Sequence, residues 1–333
     1  MQVQAMAARA AHAELTPWSY SIGELGPYAC LIRVFACGIC HSDVHMIDND
    51  WTISNFPLVP GHEAVGEIVE LGSQVRHLEV GDRVGVGWQR SACLTCPECL
   101  RGAENLCEDN KGVISDGYGG FADYLVVDSR FAFRIPSGIE TSLAGPLLCG
   151  GITVYSGLVH AGMTSGKRIG IIGVGGLGHM AVQFASKLGN HVTVFTTSDD
   201  KAEFATRLGA HDALVCRDGE IPEPQRKLDI LLNTAPANLD WERYLDLLAP
   251  DGALHFVGVP AGKLKLPLTP LLTKRLRVMG SPIGGRGEIA KMLEIADTFG
   301  IEPVVETFAL SEVNEALQRV RENSVRYRAV LFP

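Results

Sequence analysis

The 333-residue sequence predicts an α/β chain of two domains: a small, partly closed β-barrel and an open parallel sheet with helices on both faces. Three observations carry that expectation. Between Cys30 and about Arg134, short β-rich runs alternate with Gly and Pro, the texture of a small barrel with glycine corners. From Ile152 onward, apolar strand-like runs alternate with segments of helical periodicity, which makes a parallel sheet covered on both sides. That sheet is complete by about residue 280, so the tail is expected to return to the first domain. The expected domains are therefore 1–150 with 281–333, and 151–280.

In the first domain, Leu31–Phe35 and Gly66–Glu70 read as strands, Val80–Val86 as a tight turn between two more, and Gly120–Val127 as the closing run. Within it, Cys37-Gly-Ile-Cys-His-Ser-Asp-Val-His45 and Gly61-His-Glu63 gather thiol and imidazole donors with a carboxylate alongside. Soft sulfur plus imidazole is the donor set that Zn²⁺ selects, and a catalytic zinc takes three protein ligands and keeps one position open. Cys40 and His62 supply two of the three. Cys149, in Cys149-Gly-Gly-Ile-Thr-Val-Tyr155, is the candidate third, and Glu63 is either a ligand or a carboxylate that orients the site from outside.

Cys93-Leu-Thr-Cys-Pro-Glu-Cys99 is followed by Cys107, so four cysteines are spaced two, two and seven apart. That compact set suits a closed, structural tetrathiolate zinc. The first three also fit the start of a ferredoxin-like iron–sulfur run, but there the fourth cysteine follows after three residues. Cys30, Cys37 and Cys216 read as small buried hydrophobes. His12, His77, His160, His179, His191, His211 and His255 read as packed or solvated residues without a ligand role.

The second domain opens with the buried strand Lys167–Gly173, which leads into Gly173-Val-Gly-Gly-Leu-Gly178. Met180, Phe184 and Leu188 then recur at helical spacing, Gly189 stops the helix, and His191–Thr196 is the next strand. Strand, glycine turn, helix and strand form the context in which G-x-G-x-x-G marks a dinucleotide site. Gly173 makes the tight turn, Gly175 lets the backbone approach a pyrophosphate, and Gly178 lets helix and strand pack closely. The free N–H groups after Gly176 and Leu177 face the phosphates. The unit repeats: helix Lys201–Leu208, strands Ala213–Val215 and Leu228–Leu232, helix Trp241–Leu248, strand Ala253–Val257, helix Leu271–Arg277 and strand Val278–Ser281. The tail reads as a helix from Gly287 to Phe299, a strand Pro303–Phe308, a helix Ser311–Arg321 and a strand Tyr327–Phe332.

The residue expected to read the ribose, at the end of the second strand, is Thr196 and not an acid. With Thr197, Ser198 and Lys201 it offers hydroxyls and a cation, which suits the 2′-phosphate of NADP(H). Asp199 and Asp200 keep an NAD reading open, although both equally suit the first turn of the next helix.

Composition narrows the function further. Net charge is −9, from 38 acidic and 29 basic residues, without a Lys/Arg cluster, which argues against nucleic acid or an anionic membrane as partner. The Met1–Ala13 start lacks the apolar core of a signal peptide, and no run approaches the roughly 18 apolar residues of a membrane span. Nine cysteines without a secretion signal point to metal ligation in the cytoplasm.

Taken together, these motifs resemble the zinc-dependent medium-chain alcohol dehydrogenases, and within them the cinnamyl-alcohol-dehydrogenase-type NADP(H)-linked aldehyde reductases. The resemblance runs through Cys37–His45, Pro60-Gly-His-Glu63, the four-cysteine lobe, Cys149–Tyr155, Gly173–Gly178, Thr196-Thr-Ser198 and Tyr327-Arg328. It implies a GroES-like partly closed β-barrel catalytic domain and a Rossmann doubly wound parallel-sheet nucleotide-binding domain. It also implies two Zn²⁺ per chain, one held by Cys40, His62 and Cys149 with Glu63 close by, the other by Cys93, Cys96, Cys99 and Cys107.

Further roles follow from the same resemblance. Ser42 would touch the substrate oxygen and begin a proton relay that His45 ends at solvent, while Asp43 would support the ligands. His41 would contact the cofactor pyrophosphate, and Thr153, Thr234, Val257, Gly258, Ser281 and Ile283 would lie near the cofactor. Trp51 and Trp88 fall where the family lines its substrate pocket, and either could instead only pack the barrel. Pro282 stands where relatives carry a bulky apolar residue, which leaves the pocket's size open.

The expected activity is hydride transfer between NADP(H) and an aldehyde/primary alcohol pair, mainly as a reductase, by a homodimer. An NAD-linked alcohol or polyol dehydrogenase working oxidatively is the alternative. A non-catalytic NADP(H)-binding protein is a further one, which the retained three-ligand set argues against.

Overall fold

The structure is a computed structural model that describes residues 1–260 and 262–333. The chain divides into two compact units: residues 1–149, 284–298 and 302–333, and residues 150–283 with 299–301.

The first unit is built on a seven-stranded sheet centred on the long strand Ala29–Ile39. One edge of that strand pairs antiparallel with Glu63–Leu71. The other is shared, its N-terminal half by Tyr124–Asp128 and its C-terminal end by Arg328–Phe332. Arg83–Val86 and Ala132–Arg134 extend the sheet beyond Glu63–Leu71, and Val305–Ala309 lies outside Arg328–Phe332. A strand shared in this way opens a seam, as a partly closed GroES-like barrel requires. Its core runs through Val3, Ile32, Val34, Ile68, Val84, Phe121, Leu125 and Leu331, all buried. The tail strands Val305–Ala309 and Arg328–Phe332 are part of this sheet.

Two elements were not expected. Gln2–Ala7 and Thr16–Ser21 form an antiparallel hairpin at the N-terminus, burying Val3, Ala5 and Ala7 in alternation. The motif Cys37–His45 runs from the end of a strand into the helix His41–Asp48, which buries Val44, Met46 and Ile47.

The second unit is a six-stranded sheet in which every pairing is parallel. Across it the strands run Asp212–Val215, His191–Thr196, Arg168–Ile172, Leu228–Asn233, Leu248–Phe256 and Arg277–Gly280. Numbered by sequence this is the order 3-2-1-4-5-6 of a Rossmann sheet, whose order reverses at its first strand. The helix Gly178–Lys187 follows the glycine turn and buries Met180, Ala181, Phe184 and Ala185. Leu188 and Gly189, at φ +82°, end it.

One helix is displaced from its expected place. It spans Leu268–Thr273, and Arg277 already belongs to the last strand. Pro267 and Pro270 fall at its start, where a missing N–H costs no hydrogen bond, and Arg275 at φ +52° turns the chain out of it. The continuous helical run Thr141–His160 is, contrary to expectation, long and apolar enough to cross a bilayer, but 78% of its apolar window is buried inside the protein.

Candidate active site

In the first unit, four donors converge. The ligand atoms of Cys40, His62, Glu63 and Cys149 all lie within 4.8 Å of one another. Cys40 is the N-cap of the helix His41–Asp48, and the Asp43 carboxylate caps back onto the Cys40 N–H at 2.9 Å. The other Asp43 oxygen meets His62 Nδ1 at 3.0 Å and accepts the Gly61 N–H at 2.9 Å. Asp43 thus fixes the tautomer and ring plane of His62, leaving Nε2 as the donor, 3.3 Å from Cys149 Sγ. Cys149 comes from the π-helical turn Leu147–Gly151, with its sulfur 3.9 Å from that of Cys40.

Glu63 starts the strand that pairs with Ala29–Ile39, opposite Gly38. A Cβ at position 38 would stand 2.0 Å from Glu63 Oε2, so only glycine leaves room for this carboxylate. Its Oε1 is bonded by Arg328, itself buried, and its Oε2 has no hydrogen-bond partner among the described residues. Burial pushes Glu63 up to about 7, with Arg328 opposing. Cys40 is held well below the ordinary thiol range by its bond to Cys149 and then, against burial, by His62 and Arg328. Cys149 keeps the proton that the two sulfurs share. Two sulfurs, an imidazole nitrogen and an unpaired carboxylate oxygen in one buried cluster form a donor set for a soft-to-borderline divalent cation, which zinc fits.

The four-cysteine lobe gathers in the same way, with all its sulfurs within 4.8 Å of one another. The backbone N–H groups of Thr95 and Cys96 point at Cys93 Sγ and pull its thiol down to about 6. A third N–H, from Cys99, reaches Cys96 Sγ at 3.5 Å. These oriented amides favour thiolates, and a compact tetrathiolate fits a structural zinc. Of the remaining cysteines, Cys30 and Cys37 are buried as expected, whereas Cys216 is half-buried, 3.9 Å from the Tyr244 hydroxyl.

Around the first donor set, Ser42 Oγ lies 3.7 Å from Cys40 Sγ. His45 is half-exposed and its Nδ1 meets Asp50 at 2.7 Å. Three rings form a chain towards the donors: Trp51 stands edge-on to Trp88 at 6.0 Å, and Trp88 edge-on to His62 at 5.1 Å. Trp51 also lies against His45 at 5.2 Å. His41 is exposed at the start of its helix.

In the second unit, Gly173, Thr196, Thr234, Val257, Gly258 and Ser281 stand at or just past the carboxyl ends of the parallel strands, where such sheets bind ligands, whereas Thr153 and Lys201 lie on helices. Gly173 turns at φ +90° directly after Arg168–Ile172. A Cβ on Gly178 would meet the Gly173 carbonyl at 2.0 Å, whereas one on Gly175 would have nothing within 4 Å. The turn is closed on one side and bare on the other, leaving open space beside Gly175 at the N-terminus of Gly178–Lys187. Gly176 and Leu177 complete the turn. Thr234 donates to the Ile172 carbonyl at 2.9 Å, and Gly258 packs on the Thr234 backbone.

The Val257 and Gly258 amides donate to the Asn233 carbonyl, and Ser281 Oγ meets His255 at 2.8 Å. Ser156 donates to the Ile283 carbonyl at 2.6 Å; Thr153 lies on the same helix as Ser156, and Pro282 directly precedes Ile283. Thr196 ends its strand, Thr197 and Ser198 follow, and Asp199, Asp200 and Lys201 form the first turn of the helix Asp199–Arg207. Asp199 is bonded through both oxygens by Arg217.

Residues 26–137 match the family described as alcohol dehydrogenase GroES-like domain, and residues 176–322 the zinc-binding dehydrogenase family. The chain belongs to the zinc-dependent medium-chain alcohol dehydrogenases. Among the relatives of this dehydrogenase, an aldehyde reductase of Synechocystis is 44% identical, the alignment covering 99% of this chain and 98% of the relative. A solved cinnamyl alcohol dehydrogenase of Sorghum bicolor superposes with a TM-score of 0.93 at 38% identity, covering 100% and 98% of the two chains. A Helicobacter pylori cinnamyl alcohol dehydrogenase, solved with NADP(H), superposes at 0.92 with 29% identity, covering 100% and 98%.

Two partners in these sites escaped sequence reading, Arg328 against Glu63 and Arg217 against Asp199. Arg328 stands in the sequence only as part of the motif Tyr327-Arg328, and neither position carries a local pattern that names its partner.

Proposed function

We propose that this dehydrogenase transfers a hydride between NADP(H) and an aldehyde/primary alcohol pair, mainly as a reductase of aromatic or medium-chain aldehydes. The observation that carries the reading is the buried set of Cys40, His62 and Cys149 beside the unpaired Glu63 oxygen. These residues would hold the catalytic zinc, and Cys93, Cys96, Cys99 and Cys107 the structural one. Zinc at the first site supplies Lewis acidity towards a carbonyl oxygen, and NADP(H) supplies the hydride.

The chain's own residues do the rest. Asp43 keeps the His62 Nε2 lone pair aimed at the metal position. Arg328 balances the charge of Glu63, and Glu63 adjusts the donor set from its edge. The Ser42 hydroxyl delivers a proton to the product oxygen, and His45, anchored on Asp50 and reaching solvent, replaces that proton from water. Trp88 and Trp51 wall the substrate side of the donors and favour flat or apolar aldehydes.

Residues 1–150 with 281–333 act as the catalytic domain and 151–280 as the nucleotide domain. His41, Thr153, Gly173, Gly175, Gly176, Leu177, Gly178, Thr234, Val257, Gly258, Ser281 and Ile283 hold the dinucleotide body; Thr196, Thr197, Ser198 and Lys201 take the 2′-phosphate. The aldehyde reductase and cinnamyl alcohol dehydrogenase relatives support this substrate class, and the NADP(H) complex of one supports the cofactor. The enzyme works in the cytoplasm, in keeping with cysteines that form no disulfide among the described residues.

It acts as a homodimer through its nucleotide domain. The edge strand Arg277–Gly280, with exposed Val259, Leu268 and Leu272 nearby in sequence, supports that.

The test is steady-state reduction of cinnamaldehyde, benzaldehyde and hexanal with NADPH and NADH, before and after zinc removal. Metal-dependent turnover preferring NADPH is expected. Cys40→Ser should abolish turnover while leaving NADPH binding intact, and activity surviving in that variant would sink the zinc mechanism.

A further inference from the structure

In a Rossmann sheet, the acid that holds the ribose of NAD stands at the carboxyl end of the second strand, about 20 residues past the glycine turn. Here the strand His191–Thr196 ends on a threonine, and the first acids after it open the helix Asp199–Arg207. The neighbouring strand Asp212–Val215 runs parallel, with Val215 opposite Thr196 and the Cys216 N–H donating to the Thr196 carbonyl at 2.7 Å. That register brings Arg217 to the same edge of the sheet. Its guanidinium donates to both carboxylate oxygens of Asp199, at 2.7 and 2.6 Å. The two side chains are 63% and 71% exposed, so the pair adds little to stability. Its position matters more than its strength.

We infer that Arg217 masks Asp199 and thereby sets the cofactor preference of this chain. With both Asp199 oxygens engaged, the end of the second strand offers Thr196, Thr197, Ser198 and Lys201 to a 2′-phosphate. With Arg217 gone, the same edge presents an acid that binds a ribose hydroxyl and repels a phosphate. Asp199, Asp200, Lys201 and Arg217 are together neutral, and removing Arg217 leaves the group net negative. The sequence places an acid near the ribose position, and the structure supplies the residue that cancels it. This inference rests on the reading of the second unit as an NADP(H) site.

The test is direct binding of NADPH and of NADH to the full-length protein by calorimetry, which needs no turnover. Arg217→Ala should weaken NADPH binding by about tenfold and leave NADH binding unchanged or tighter, as expected for one uncancelled charge at the surface beside a phosphate. Asp199→Asn should leave NADPH binding as tight or tighter. The double variant Asp199→Asn/Arg217→Ala should return the NADPH-to-NADH ratio to within about threefold of wild type, because the acid that Arg217 masks is gone and Asp200 and Lys201 balance. An unchanged ratio in Arg217→Ala, or a double variant as weak for NADPH as that single variant, overturns the inference. Tighter binding of NADH by the wild-type protein overturns instead the NADP(H) reading, and the wild-type measurement alone reveals it.

Discussion

Glu63 has no solvent exposure, and the cation that answers it comes from a residue 265 positions later. Removing one partner of a buried pair leaves the other charge uncompensated, which costs about 3–5 kcal/mol. Arg328→Ala is therefore expected to lower unfolding stability in urea by that amount, and adding Glu63→Gln should recover part of the loss. A loss below about 1 kcal/mol would mean that Glu63 simply takes up a proton, a course open to a carboxyl that burial already pushes up to about 7. At this scale the donor atoms were legible in the sequence. Metal ligation restricts both residue type and spacing, so Cys40, His62, Cys149 and the four-cysteine lobe stood out, and the structure brings each set within 4.8 Å. Arg328 against Glu63 and Arg217 against Asp199 were not legible as pairs, because a contact made by tertiary folding leaves no trace in local spacing.

The glycine turn after the strand Arg168–Ile172 separates two jobs that look alike in a motif. Gly175 faces open space and has room for a side chain, whereas a Cβ on Gly178 would collide with the Gly173 carbonyl. Gly175→Ala should keep the melting temperature of the wild type and lose NADPH affinity, since the methyl fills that open space. Gly178→Ala should instead destabilise the protein by about 1–3 kcal/mol through overpacking. Thermal melts and cofactor titrations of both variants check the contrast, and equal melting temperatures would refute it. Elements were legible where the chemistry was strong. The six parallel strands are apolar runs cut by glycine, and five of the six begin within one residue of a visible boundary. The hairpin Gln2–Ala7 with Thr16–Ser21 was not legible, because two of its three buried positions, Ala5 and Ala7, are too small to mark a strand. The helix Leu268–Thr273 was placed late because Leu271 and Leu272 drew the apolar pattern past the prolines that start it.

The whole molecule was legible as a fold class, since a change from short glycine-punctuated strands to strand–helix alternation marks two kinds of sheet. The proposed homodimer rests on what the second unit leaves uncovered. The helix Leu268–Thr273 buries none of its residues, with Leu268 and Leu272 more than 60% exposed, and Arg277–Gly280 lies at the edge of its sheet. Leu268→Glu with Leu272→Glu should convert a wild-type dimer into a monomer in sedimentation velocity, with NADPH binding retained; a monomeric wild type would defeat the proposal. The course of the chain through its two units has a consequence for biosynthesis. The first unit is discontinuous: Cys149 and Arg328 both belong to it, and all of the second unit lies between them in sequence. At roughly 5–20 residues per second, about 10–40 s pass on the ribosome between the two. In that interval the nucleotide unit is made whole and can fold, while the ligands of the first unit wait for the strand that carries their counter-charge. A nascent chain thus gains a place for its dinucleotide before it gains a finished place for its metal.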